Sequence, residues 1–500
     1  MDADTNVFEP ICCAFRVNEM GPALLQPATN DFQRVHRLNI AAAVALRTAG
    51  ELSNEAFDAS YIGLREVAHR YCENGAHWSE VGDYLEIEKL MVESGGLAIT
   101  ELHSGRSRQD IVATVLRMAW RQHVIDSVQA SVKLRRELHA LACLHLHAVL
   151  PAYTWGVQAQ PTSLGHYLLG YSSALLRWQK RMVQTYDRVN ESPLGSCVLG
   201  TSLFSLDRNL LASLLGFSGP IVNSFDAVQL APVDMSAEVA GQINMLASGL
   251  SLLYADVTAQ YHHIEPWLVL NDDKVGSSSA MPQKRNPVVV SGLRRQNNGL
   301  LGLTSAILLN CHNISSGMHD YKHHDVTVAL ERTANLLDNT ADMVSSLIFI
   351  PAVSKAETDR DYASATDLAN VLQTLGVPLR AAHACVARLV VIARAKRIKL
   401  AQIDGEQVRC VFQEHLPEGQ SRSLAVRWDK IKDGLSAEWV LRNRKGLGGP
   451  QPESVEAMLL DDAEGIASME GWAMRSGEAL AAADESLCVS FYRLARERVK

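Results

Sequence analysis

The sequence predicts a mainly α-helical protein built from long helices packed side by side. Between Ser236 and Ile264, apolar residues recur at spacings of three and four with no intervening proline, which is the period of a single buried helix face. Small residues beside this stripe, such as Ala240 and Gly249, favour close packing in a bundle. Alternating β-branched runs bounded by turns, the pattern of strands, are scarce. We therefore expect a helix bundle.

The same helical period recurs elsewhere along the chain. It runs from Val112 to Val149, from Leu164 to Val189 and from Val288 to Leu309, and a further helix is predicted to begin near Asp325. These segments are long enough to form the body of the bundle.

Two interruptions of the helical pattern divide the rest of the chain. A break near residues 353–355 precedes shorter helical segments, and a glycine-rich turn follows at 446–450. Five hundred residues exceed what one core usually organises. We expect three regions: an N-terminal helical domain (1–110), a central long-helix bundle (111–360) and a C-terminal helical domain (361–500).

Composition excludes several classes of protein. A net charge of −8 over 500 residues, without a basic run, argues against a nucleic-acid surface. The nine cysteines are scattered and form no C-x-x-C pair, which indicates neither a disulfide framework nor a zinc site. Because the chain has no apolar stretch near the length of a bilayer span and no signal-peptide pattern, we expect a cytoplasmic protein.

The strongest chemical signal is a polar loop at 276–287, which reads Gly-Ser-Ser-Ser-Ala-Met-Pro-Gln-Lys-Arg-Asn-Pro. Serine hydroxyls, backbone N–H groups, the Lys284 cation and the Asn286 amide lie within a few residues of one another, a set that suits a carboxylate. A serine-rich segment with one lysine is more often only a solvated connection. The order of the residues favours a binding loop.

Ser278, Met281, Lys284 and Asn286 follow one another in an order that resembles the signature of the fumarase and aspartase superfamily. The resemblance implies an enzyme that eliminates a group from a succinyl skeleton to release fumarate. It implies that Ser278 is the base that removes the proton next to a carboxylate, that Lys284 acts beside it, and that Met281 and Asn286 bind substrate. The aci-carboxylate formed needs preorganised donors. The serine must be held as an alkoxide by N–H groups and positive charge.

Further segments resemble the argininosuccinate lyase branch of this superfamily. They lie at 102–110, 153–167, 193–196, 207–208 and 365–369 and together span most of the chain. The resemblance implies a fumarase/aspartase-like fold and a homotetramer in which three subunits share each active site. It also implies a small dicarboxylate substrate. No cofactor is implied, and the composition leads us to expect no nucleic-acid or membrane partner.

The same resemblance assigns residues to the binding of substrate carboxylates. Ser107 and Thr154 correspond to hydroxyl donors, and Arg108 to an arginine that can form a bidentate pair. Gln109 stands where the family's anion loop has an asparagine. Arg106 fits a structural ion pair that shapes the loop.

The chain departs from the family where the leaving group is handled. The histidine expected after Thr154 is Trp155, and its glutamate partner is Ser291. An indole N–H cannot donate a proton at neutral pH. Residues that recognise the arginine portion correspond here to Met318, His323 and Val326. The succinyl half is therefore retained and the arginine half is lost.

We interpret the chain as a carbon–nitrogen lyase that cleaves an N-substituted aspartate to fumarate and an amine, or runs in reverse. Trp155 would form an apolar wall for the amine's substituent. One alternative is a working argininosuccinate lyase in which other residues replace the missing ones. Another is a non-catalytic structural protein, since members of this branch serve as eye-lens crystallins.

The segment 319–325, which reads His-Asp-Tyr-Lys-His-His-Asp, leaves three readings open. It could bind a metal, supply His323 as a substitute acid or binding residue, or form a polar loop leading into the helix at Asp325. Metal ligands require convergent geometry that sequence does not specify, and no metal is predicted.

Overall fold

The structure is a computed structural model that describes residues 28, 30–74, 84–318, 324–360, 362–433 and 435–497. Most of these residues are helical, which confirms the predicted mainly α class. Within these ranges, the first nine α-helices are α1 Asp31–Ala49, α2 Asn54–Asn74, α3 Tyr84–Gly95, α4 Arg108–Leu144, α5 Leu164–Val189, α6 Arg208–Leu214, α7 Ala231–Gln260, α8 Val288–Asn310 and α9 Asp325–Ser345.

The remaining α-helices are α10 Pro351–Arg360, α11 Ala365–Thr374, α12 Leu379–Lys396, α13 Gly405–His415, α14 Glu418–Val426, α15 Trp428–Asp433, α16 Ala437–Asn443 and α17 Pro452–Glu497. Strands are short and pair two by two: β1 Val149–Thr154 with β2 Val157–Ser163, β3 Glu191–Ser192 with β4 Gly219–Pro220, β5 Leu268–Leu270 with β8 Leu347–Phe349, and β6 Gly276–Ser277 with β7 Arg285–Asn286.

Most long helices lie where the sequence predicts them. Helix α5 has the predicted bounds, α8 and α9 begin at the predicted residues, and α7 is shifted toward the N-terminus by about one turn. Two predictions were wrong. Helix α4 ends at Leu144, and Val149 instead begins a hairpin. The expected break at 353–355 instead lies inside α10. Pro351 is the first residue of this helix, a position at which proline is common.

The largest hydrophobic core joins α4, α5, α7, α8, α9 and part of α17. Arg117, near the start of α4, donates hydrogen bonds to the carbonyls of Arg188 and Val189 at the end of α5, so these two helices are antiparallel. Glu238, early in α7, pairs with Arg188. Asp256, late in α7, accepts a hydrogen bond from Tyr167 at the start of α5. Helix α7 therefore runs in the direction of α4.

Two smaller cores flank the bundle. One joins α1 to α3 with the start of α4 and includes Leu487 and Phe491 of α17. The other is confined to residues 368–435. Because α17 packs on the bundle and on the N-terminal core, the hydrophobic packing favours grouping this helix with them. The three-region division with boundaries after 110 and 360 remains a proposal.

A buried polar contact fastens α17 to the bundle. Arg135 of α4, fully buried, donates to Asp462 of α17 at 2.8 Å, to Gln179 of α5 at 2.9 Å and to Ser172 at 3.0 Å. Replacing Arg135 with methionine removes the guanidinium from the buried Asp462 carboxylate, which keeps its contacts with Ser172 and His139. We expect the free energy of unfolding to fall by about 3–5 kcal/mol, measured by urea denaturation.

The neighbouring pair, Arg136 with Glu470, joins the same two helices but is about half exposed. The matched change Arg136→Met is expected to cost at most about 1 kcal/mol. If the free energy of unfolding fell equally in Arg135→Met and Arg136→Met, burial would not explain the strength of the Arg135 contact.

Candidate active site

The predicted anion loop leads directly into the N-terminus of α4. Ser107 is the N-cap, and its hydroxyl oxygen accepts a hydrogen bond from the backbone N–H of Gln109 at 3.1 Å. Among the described residues, the Ser107 hydroxyl donates only through a long, 3.5 Å contact with Asp110, so its proton can be donated to a ligand. The positive end of a 37-residue helix also favours an anion here.

Asp110 fixes the shape of this loop. It is fully buried. One carboxylate oxygen accepts from the backbone N–H of Ser107 at 2.8 Å, and the other from the N–H groups of Gly195 and Cys197 at 2.9 and 3.0 Å. The carboxylate thus joins the anion loop to the loop at 193–197. The sequence reasoning missed this role, although the serine-to-acid spacing of a capping box was present to indicate it.

Replacing Asp110 with asparagine places an NH₂ group against backbone N–H groups on one side. We expect the loop to shift, so that the KM for the dicarboxylate rises about tenfold while kcat changes much less. Steady-state kinetics measure this split. A tenfold loss in kcat with an unchanged KM would contradict a positioning role for Asp110.

Burial raises the pKa of Asp110 to about 6. At neutral pH the group is a carboxylate; as pH falls through about 6 it takes up a proton and one oxygen stops accepting. Substrate carboxylates, with pKa values near 4, remain ionised there. We therefore expect the KM for the dicarboxylate to rise below pH 6, as a pH profile of kcat/KM will show.

The other residues of the anion loop separate into inner and outer positions. Arg106 is buried and donates to Asn39 at 3.0 Å and to the carbonyl of Leu102; it shapes the loop through hydrogen bonds. Arg108 is exposed and Gln109 is half-buried, both in the first turn of α4. Their positions suit ligand binding at the helix end.

The signature loop is closed by a short antiparallel ribbon. Strands β6 and β7 pair Gly276 with Asn286 and Ser277 with Arg285, which brings the two ends of the loop together. A Cβ on Gly276 would lie 2.7 Å from a methyl carbon of Val288, so a larger residue here would force the Val288 side chain to move. Lys284 and Met281 lie on the exposed part of the loop, where the Lys284 N–H donates to the Met281 carbonyl at 3.1 Å.

Two backbone N–H groups converge on the oxygen of Ser278. The N–H of Met281 lies 3.1 Å from this oxygen and that of Ala280 lies 3.4 Å from it. Donors aimed at a hydroxyl oxygen stabilise its deprotonated form. The loop therefore provides part of the environment that a serine base requires.

Thr154 and Trp155 form the tip of the β1–β2 hairpin. Thr154 pairs with Val157, so Trp155 and Gly156 make a two-residue turn. Both have positive φ, 55° for Trp155 and 73° for Gly156, as in the turns that suit tight hairpins. The Thr154 side chain is exposed, and Trp155 is fully exposed.

Helix α10 supports the hairpin from behind. Tyr153 donates its hydroxyl proton to Glu357, which also lies 3.5 Å from His263. The side-chain amide of Gln158 donates to the Thr358 carbonyl at 2.9 Å. A groove of about 780 Å³ lies between these elements. These contacts hold the hairpin tip in a defined position.

The fold places the predicted site residues at two ends of the molecule. Ser107 begins α4, whereas the hairpin with Thr154 follows the end of that helix; at 1.5 Å per residue, its 37 residues span about 55 Å. Helix α7 ends at the hairpin end. Helix α8 runs antiparallel to it, since Asn297 donates to the Ala247 carbonyl and Thr304 donates to Asn244. Ser278 therefore shares the end of Thr154. One chain does not bring Ser107 to Thr154.

His323 lies outside the described residues, as do His319 and the segment between them. Within the ranges that the structure covers, no three histidine, cysteine or carboxylate side chains are grouped to hold a metal. Over the same ranges, no helix is long and apolar enough to cross a membrane.

Comparison with known proteins identifies relatives over most of the chain. A family model described as Lyase matches residues 85–297, and one described as Argininosuccinate lyase C-terminal matches 362–428. The argininosuccinate lyase of Methanoculleus marisnigri is 32% identical over 417 residues, covering 82% of this chain and 81% of the relative.

Solved structures agree with this result. A crystal structure of EDDS lyase in complex with formate has a TM-score of 0.83 at 26% identity and covers 95% of this chain and 94% of that one. An EDDS lyase variant with bound fumarate has a TM-score of 0.82 with the same identity and coverage.

Proposed function

Because the chain belongs to the argininosuccinate lyase family and is a carbon–nitrogen lyase of that type, we propose that it releases fumarate from an N-substituted aspartate whose amine is not arginine. The observation that carries this proposal is a contrast within the site. The Ser278 loop is intact and its backbone N–H groups converge on the serine oxygen. The position of the usual acid is occupied by an exposed tryptophan.

The proposed elimination begins at Ser278. Its alkoxide takes the proton from the carbon next to a substrate carboxylate, and the electron pair moves into that carboxyl group as an aci-carboxylate. Lys284, Asn286 and the hydroxyl of Ser107 would stabilise the charge. The pair then forms the double bond of fumarate as the carbon–nitrogen bond breaks.

The missing acid pair is compatible with an alkylamine leaving group. The nitrogen of an N-alkylaspartate is an ammonium at neutral pH, because alkylamines have pKa values near 10. It carries its own proton and leaves as a neutral amine, so no side chain must protonate it during bond cleavage. Trp155 and Ser291 at the altered positions do not prevent this reaction.

We also propose that the active site is assembled from several copies of the chain, as a homotetramer. The 55 Å length estimated for α4 keeps Ser107 from Thr154 within one chain. Helices α5 and α7 border an apolar groove of about 530 Å³. Met245 and Leu252 of α7 are exposed beside it, which suits packing against another copy.

The proposal is tested by following fumarate through its ultraviolet absorbance during incubation with a panel of primary amines and diamines. Ser278-dependent consumption of fumarate with at least one amine is expected. Binding of fumarate with no turnover on any amine would instead support the crystallin-like alternative.

A further inference from the structure

Resting on the proposed function, we infer that the amine substrate is a primary amine with an apolar, uncharged substituent, and that Trp155 selects it. The hairpin and the signature loop expose several large apolar side chains. Trp155 is fully exposed, and Val157, Met281 and Val288 are each at least two-fifths exposed. They lie on the hairpin and on the signature loop or directly after it, next to the residues proposed to bind the succinyl group.

The backbone at Trp155 supports a functional reason for its exposure. Its φ of 55° lies in the left-handed region, which asparagine and glycine occupy readily and bulky side chains rarely do. An indole at a strained turn and in contact with solvent contributes little to a folded monomer. A large flat apolar surface is instead useful where another group stacks on it.

Acidic groups, which a cationic amine needs, are missing from the same segments. Residues 102–110, 149–163 and 275–293 contain one carboxylate, Asp110. It is buried and its oxygens accept three backbone N–H groups. A second positive charge on the amine, such as a guanidinium or a second ammonium, would therefore find no free carboxylate on these three segments, which is costly.

Two carboxylates lie behind the hairpin, one engaged by hydrogen bonding and one in an exposed ion pair. Glu357 accepts the Tyr153 hydroxyl and lies close to His263. Glu265 lies 3.8 Å from the guanidinium of Arg360. The groove that they line offers apolar contacts from Val157, Ile264 and Val353. The apolar contacts of the groove favour a neutral substituent.

The experiment measures fumarate consumption with methylamine, benzylamine and 1,4-diaminobutane at saturating fumarate. The native enzyme is expected to show a kcat/KM at least about tenfold higher for benzylamine than for the diamine, the value of one aromatic contact. Trp155→Asn keeps a residue suited to positive φ, so the hairpin should fold. It should lose about tenfold more activity toward benzylamine than toward methylamine, and Trp155→Phe should restore most of that difference.

The outcomes separate the two proposals. Ser278-dependent turnover that favours the diamine, or equal losses for methylamine and benzylamine in Trp155→Asn, would overturn the assignment of an apolar amine and leave the lyase proposal intact. No consumption of fumarate with any of the three amines would overturn both.

Discussion

Replacing Ser278 with alanine is expected to lower kcat by about 10²- to 10⁴-fold, the usual contribution of a positioned general base. The KM for fumarate should change little, because the proposed contacts to its carboxylates come from Ser107, Thr154, Lys284 and Asn286. The physical basis is the pair of backbone N–H groups at 3.1 and 3.4 Å from the Ser278 oxygen, which would stabilise the proposed alkoxide. Steady-state rates with an amine and fumarate give both constants.

Ser279→Ala is the matched control, since this serine is the next residue of the same exposed loop. It is expected to retain most of the activity. If Ser279→Ala were the inactive variant and Ser278→Ala the active one, the assignment of the base would be wrong.

Mixing two inactive variants is expected to restore activity if subunits share the site. Ser107→Asp keeps a good N-cap for α4 but places a negative charge where a substrate carboxylate binds; Ser278→Ala lacks the base. If Ser107 and Ser278 of one site come from different chains, random assembly gives roughly a quarter of sites with both native residues. Unfolding and refolding the mixture, followed by the fumarate assay, measures this recovery.

Two controls make this result specific. Ser107→Asn keeps the cap without the charge and should bind fumarate better than Ser107→Asp. A mixture of Ser278→Ala with Lys284→Ala must stay inactive, because both changes affect the same loop of one chain. No recovery in the first mixture, with tetramers present, would show that one chain supplies both residues.

The bundle could be predicted from the sequence because apolar residues recur at helical spacing along each long helix. Helix α5 was predicted from Leu164 to Val189, as observed, since its stripe has clear limits at both ends. The β1–β2 hairpin after Leu144 was not predicted. Its turn is Trp155-Gly156 rather than the usual Asn-Gly, and its β-branched residues are too few to indicate strands. Pro351 was not recognised as the first residue of α10, which produced the false break.

The candidate site was predicted as a set of residues, and the structure adds their arrangement. Ser107 caps α4, and backbone N–H groups converge on the Ser278 oxygen. The cap was not predicted, because the helical pattern in the sequence begins at Val112. The contacts of Asp110 with Gly195 and Cys197 were not predicted, because these partners are far away in sequence. The separation of Ser107 from Thr154 was not predicted either. It follows from the length of α4, which lies between them, and from the packing of the helices around it.

The most direct test of the central claim compares two substrates in the direction of fumarate release. Native enzyme and Ser278→Ala are each incubated with argininosuccinate and with N-benzylaspartate, and fumarate is followed by ultraviolet absorbance. The account predicts fumarate from N-benzylaspartate with native enzyme only, and little or none from argininosuccinate. Rapid release from argininosuccinate, with none from N-benzylaspartate, would contradict the loss of the arginine half and make Trp155 a tolerated substitution in an ordinary argininosuccinate lyase.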